Sequence, residues 1–164
     1  IYIMWPERGL VYMKKMLSIL GTISLVGTST TSLVSCGEEP KCENKIIGNL
    51  KEICSSDRPF HNDDDKWYFV IVKGDSPEWN IIKFQNNNKT KTIYSSNDYE
   101  VDLAKGSNNY SGLVIFIKKD DKKFPYTWGQ DKGKYFKNVY QWLGDNEPTN
   151  NDIPKIDDNG NIIV

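Results

Sequence analysis

Histidine is almost missing from this chain, with His61 alone among 164 residues. Imidazole is the commonest metal ligand and the usual general base near neutral pH. A His-based metal site or a His-paired nucleophile therefore has a single place to be. Cysteine is scarce too, at three residues, Cys36, Cys42 and Cys54. A zinc site would need further ligands at a defined spacing, and the sequence offers none. No Gly-rich phosphate loop and no Gly-x-Ser-x-Gly elbow occurs, and no segment repeats. Nothing calls for a cofactor, and no residue stands out as catalytic.

A basic excess is also lacking. Before Cys36 lie three of the 21 basic residues and one of the 22 acidic ones, so the remainder carries 18 against 21, a net charge of −3. Nucleic-acid binding would want a clustered positive surface, and none is legible. From Cys36 onward 129 residues remain. That length supports one hydrophobic core but not the two lobes of a typical solute-binding protein.

What is present is a foldable composition, 38% hydrophobic and 12% aromatic. Arginine is confined to Arg8 and Arg58, so lysine supplies 19 of the 21 basic residues. Asparagine and isoleucine are frequent as well. All three favoured residues have AT-rich codons, which speaks of the source genome rather than of chemistry.

The longest apolar run begins after Met13-Lys14-Lys15 and extends from Met16 to Val26. It is followed by Gly27-Thr28-Ser29-Thr30-Thr31-Ser32 and then Leu33-Val34-Ser35-Cys36. A charged start, an apolar stretch and a small-residue cleavage region are the parts of a secretory signal in order. The span from Met16 to Val34 is nominally long enough to cross a bilayer. Its second half is polar and a poor helix former, and at about 1.5 Å per residue the apolar half reaches only about halfway. A cleaved leader over 13–35 is the better reading.

Leu33-Val34-Ser35-Cys36 is a lipobox: an apolar residue three before the Cys, and a small residue directly before it. The Cys36 thiol would take a diacylglyceryl group, and a peptidase would then cut after Ser35. This chemistry places the product on the outer face of a cell membrane, with the lipidated Cys and a polar tether over 36–44.

Residues 13–36 resemble the leaders of lipoproteins from wall-less bacteria, in particular the Spiroplasma type. The ending Glu147-Pro148 to Ile153-Pro154-Lys155-Ile156-Asp157 and Asn159-Gly160-Asn161-Ile162-Ile163 fits the same group. The resemblance implies a small surface lipoprotein and brings no catalytic residues with it. Residues 1–12 stand outside this pattern. Glu7-Arg8-Gly9 can be encoded by a purine run like a ribosome-binding site, so translation is expected to start at Met13, with 1–12 an untranslated upstream extension.

The body over 45–144 reads as mainly β or α+β: an antiparallel sheet of five or six strands with at most one short helix. Ile46, Ile47, Leu50 and Ile53 have helical spacing, interrupted by Gly48. Trp67-Tyr68-Phe69-Val70-Ile71-Val72 and Trp79 to Phe84 predict a hairpin across Gly74-Asp75-Ser76-Pro77. Lys91 to Tyr94 predicts a short strand. Asp98 to Leu103 alternates apolar and acidic residues, as a strand with one wet face does. Leu113 to Ile117, apolar on both faces, predicts a central strand. Tyr135 to Leu143 fits helix spacing, but its aromatic and β-branched content favours a strand. The last twenty residues, 145–164, predict an extended tail.

Candidate chemistry is thin. His61 with Asp63-Asp64-Asp65 could help to hold a cation, but three consecutive carboxylates seldom converge on one ion, and a solvated loop explains them better. Asp157-Asp158-Asn159-Gly160 lacks the spacing of a calcium loop and reads as a turn. Outside the cell Cys42 and Cys54 are permitted to form a disulfide, worth about 3 kcal/mol in the chain-entropy model; bridged and free states both stay open. Trp67, Trp79, Trp128 and Trp142 with nine tyrosines serve either core packing or an exposed aromatic face for a protein or glycan partner. The function these observations favour is a non-enzymatic, membrane-anchored binding module. The alternative is an exported, lipid-anchored hydrolase using acidic residues such as Asp63 to Asp65.

Overall fold

The computed structural model describes residues 42–87, 89–106 and 112–163. Cys36, the leader over 13–35 and residues 1–12 lie outside the described residues. The described chain is mainly β: eleven strands form antiparallel sheets of five, four and two strands.

The five-stranded sheet has the order β1-β2-β9-β3-β4. Its strands are β1 (Ile46–Ile47), β2 (Leu50–Ile53), β3 (Trp67–Val72), β4 (Asn80–Gln85) and β9 (Phe136–Trp142). The four-stranded sheet runs in sequence order through β5 (Lys91–Ser95), β6 (Tyr99–Ala104), β7 (Gly112–Lys119) and β8 (Lys122–Thr127). β10 (Lys155–Ile156) and β11 (Ile162–Ile163) make the third, a small hairpin.

The alternation of β6 settles which face is buried. Tyr99, Val101 and Leu103 turn inward with Leu113, Ile115 and Ile117 of β7. From the other sheet, Tyr68, Val70, Val72, Ile82, Phe84, Phe136 and Val139 meet them in one core. The strands are thus divided between two sheets packed on a shared interior, rather than gathered in one sheet of five or six. At about 25 cal/mol per Å² of apolar surface removed from water, that interior is the main source of stability.

Residues 46–53 form a hairpin, not the short helix their spacing suggested. Ile47 pairs with Leu50 across a two-residue turn in which Gly48 takes φ +56°, a conformation that glycine adopts without a Cβ penalty. Residues 136–142 are a strand, flanked by β2 and β3.

The C-terminal segment is not a free extended tail. A 3-10 turn at Asn150–Asp152 is closed by Thr149, whose N–H and hydroxyl both donate to Asp152 Oδ2 at 2.8 and 2.7 Å. Ile153, Ile156 and Ile162 then pack against Phe69, Ile71 and Tyr140 on the outer face of the five-stranded sheet. Two-residue strands are too short for a periodic signal, so the apolar residues that dock this segment read as scattered.

Candidate functional surface

The loop from Phe60 to Lys66 carries the residues with the most chemical promise, and it wraps one buried side chain. Asn86, directly after β4, is fully buried. Its N–H donates to the Lys66 carbonyl (2.9 Å), and its carbonyl accepts from the amides of Asp64 (3.2 Å) and Asp65 (3.0 Å). Its Nδ2 donates to the Asn62 carbonyl (3.0 Å) and to Asp64 Oδ1 (2.9 Å), while its Oδ1 accepts from Lys105 Nζ. Burial of so polar a group is tolerable because every donor and acceptor has a partner.

The three carboxylates therefore part company. Asp63 pairs with Lys105 Nζ at 2.9 Å. Asp64 accepts from Asn86, from the Lys66 amide (3.1 Å) and, through Oδ2, from the Tyr68 hydroxyl (2.5 Å). Burial, reinforced by that carboxylate, pushes the Tyr68 phenol well above its ordinary range. Asp65 takes φ +54° and offers its backbone carbonyl to Gln85 Nε2 at 2.9 Å. His61 is exposed. Among the described residues, no group of three or more His, Cys, Asp or Glu is placed to hold a metal ion. Asp157 organises the β10–β11 turn: its carboxylate accepts from the amides of Asn159 (2.9 Å) and Asn161 (2.8 Å).

Cys42 and Cys54 are bridged, with Cα atoms 5.6 Å apart. The bond spans the β1–β2 hairpin and ties the start of the described chain to the end of β2.

The tryptophans are largely occupied with packing. Trp67 lies under Lys83 Nζ at 5.0 Å, and Trp79 under Lys73 Nζ at 4.7 Å. Gly160 sits flat on Trp79, where a Cβ would fall 2.8 Å from the ring. Trp142 meets Phe69 edge-on at 6.4 Å and donates Nε1–H to the Asn146 carbonyl (2.9 Å). Trp128 packs on Phe60 at 5.7 Å. The tyrosines pair off: Tyr94 with Tyr99 at 5.2 Å, and Tyr126 with Tyr135 at 4.6 Å under Lys134. An aromatic platform built from tryptophans is thus not what the described residues present.

The outer face of the four-stranded sheet is more open. Register sets Glu100, Phe116 and Pro125 in one row and Lys118 with Lys123 in the next. Lys123 Nζ contacts both Glu100 oxygens at 3.0 Å, and Lys118 Nζ approaches at 3.7 Å. The Lys123 hydrogen bond holds the Glu100 carboxyl below its usual range. Phe124, 43% exposed on the edge strand β8, lies opposite Ile117 and so belongs to the inward side of the sheet, at its rim. Mixed charge around accessible aromatic and proline surface suits reversible contact with a polar macromolecule.

Sequence reading passed over Asn86 and Lys105, which lie 19 residues apart with no motif to link them. Lys105 follows the alternating strand, and Asn86 sits in an asparagine run that looks like a loop.

No curated protein and no solved structure matches this chain. One family model does match, over residues 28–164, which takes in all the described residues together with the segment around Cys36. By that match the chain belongs to the Spiroplasma phage ORF1-like family.

Proposed function

We propose that this protein is a lipoprotein exported to the outer face of a cell membrane, held there by diacylglyceryl-Cys36, where its β domain acts as a non-enzymatic binding module. The observation that carries the reading is the complete leader over 13–35 closing on Leu33-Val34-Ser35-Cys36. A further observation supports it: Cys42 is joined to Cys54 in a disulfide, a bond that persists in oxidising surroundings. The membrane partner is reached through acyl chains, of which two or more hold a protein stably. The second partner is a host or surface protein, or a glycan, and the open face of β6–β8 is the surface offered to it.

A hydrolase built on Asp63 to Asp65 finds little support, because Asp63 is paired with Lys105 and Asp64 with Asn86 and Tyr68. Metabolic labelling with a fatty acid tests the anchor: label enters the protein, and Cys36→Ser abolishes it. Label retained in Cys36→Ser would defeat the reading. Pull-down from cell-surface extracts tests the binding role, with loss of capture in Phe116→Ala expected.

A further inference from the structure

The contact between Asn86 and Lys105 has the composition of a reactive pair. Lys105 Nζ donates to Oδ1 of the Asn86 carboxamide, one bond from its carbonyl carbon. Each nitrogen that would take part has its own carboxylate: Asp63 Oδ1 lies 2.9 Å from Nζ, and Asp64 Oδ1 lies 2.9 Å from Asn86 Nδ2. The reacting pair itself is withdrawn from water, while its carboxylates reach solvent. Asn86 is fully buried, the Lys105 side chain is 14% exposed, and the neighbouring rings of Phe60, Tyr68 and Phe84 pack on one another; Asp63, at 36%, and Asp64 are exposed. Neither partner is free to turn away. Nζ is also held by the Phe60 carbonyl at 3.2 Å, and Asn86 is anchored through its own backbone.

We propose that Lys105 and Asn86 become joined by an intramolecular isopeptide bond after folding. Asp63 takes a proton from the Lys105 ammonium, and the freed Nζ pair attacks Cγ of Asn86. As the adduct collapses, the Cγ–Nδ2 bond breaks and its electron pair leaves on Nδ2. Nζ gives up a second proton at this step. Both protons end on the departing nitrogen by way of Asp63 and Asp64, so ammonium leaves and a neutral amide remains. No oxidant, metal or other reactant is required. Holding nucleophile and carbonyl in contact turns a very slow bimolecular aminolysis into an intramolecular reaction, with effective molarities on the order of 10⁵–10⁸ M. The product replaces a confined ammonium by an amide and covalently links the end of β4 in one sheet to the end of β6 in the other.

The test is a tryptic map of the full chain, purified in detergent and shown to melt cooperatively before digestion. Trypsin does not cut after an acylated lysine, so a branched peptide joining 84–89 to 92–118 is expected, lighter than the sum of its parts by one ammonia. Recovery of 84–89 and 92–105 as separate, unmodified peptides from the folded chain would overturn the proposal. Asn86→Asp should give the same branched peptide with loss of one water instead, and Lys105→Arg should give none. Asp63→Asn should slow its appearance; branching as fast as in the unaltered chain would overturn the role given to Asp63.

Discussion

On the five-stranded sheet the outer face carries Phe69, Ile71 and Tyr140, all buried beneath the C-terminal segment. Of the corresponding positions of the four-stranded sheet, Val114 is buried, but Glu100, Phe116, Lys118, Lys123 and Pro125 stay half-buried or exposed. Both faces arise from the same two-residue alternation, yet one has been turned into a second core and most of the other left wet. Apolar faces of that size are seldom left bare in a soluble domain, because they drive association. The strap thus does for one sheet what polar side chains do for the other, and among the described residues no such segment covers the second.

The largest test of this contrast is removal of residues 146–164. Uncovering Phe69, Ile71, Tyr140 and Trp142 together should abolish cooperative thermal unfolding and produce aggregates by size-exclusion chromatography. Retention of a sharp melt would mean that the strap is dispensable. A narrower cut compares single side chains: Phe69→Ala should cost about 3–5 kcal/mol in denaturant titration, whereas Phe116→Ala on the open face should cost less than about 1 kcal/mol. Equal losses would erase the distinction. Lys83 clamps the strap through Glu147 and the Pro148 carbonyl, both at 2.8 Å, and Lys83→Met should cost about 1–2 kcal/mol. Glu100→Gln, which breaks the paired charges of the open face, should cost no more than about 1 kcal/mol and less in high salt.

The two faces also part with pH. Burial pushes the Tyr140 phenol, under the strap, up to about 12, and the inward-facing Tyr99 likewise to about 12. Unfolded phenols ionise near 10. Their contribution is therefore intact below pH 10 and is lost as pH rises from there through 12. Glu100, held low by Lys123, behaves oppositely: its contribution is present above the unfolded carboxylate value and disappears as pH falls through the lowered one. Denaturant midpoints measured from pH 3 to 12 should fall at both ends, and Glu100→Gln should flatten the acid limb.

Much of the β framework was legible because period-two alternation survives in β6 and because Trp67–Val72 and Leu113–Ile117 are too apolar and too short for anything but buried strands. β8 was not legible, since Lys-Lys-Phe-Pro-Tyr-Thr is the composition of an edge, where proline and lysine discourage further pairing. At 46–53 four isoleucine and leucine positions satisfy a helical spacing as well as a two-stranded one, and Gly48 decides between them only through its left-handed φ. The tight β7–β8 turn is likewise written in backbone angles, with Asp120 and Asp121 at φ +49° and +59°. The polar knot around Asn86 depends on tertiary neighbours far apart in the chain, which no local pattern encodes. Cys36 is the reverse case, a residue whose meaning rests on its sequence neighbours.

The Cys42–Cys54 bond decides how a mechanical load would enter the fold. A pull arriving along the chain that precedes Cys42 does not peel the two-residue strand β1 from its neighbour. The sulfur link carries it past the hairpin to the end of β2, a strand flanked on both sides and paired with β9 at four positions. Reduction would move the point of attack to the weakest edge of the sheet, and tugging would unzip the domain from β1 inward.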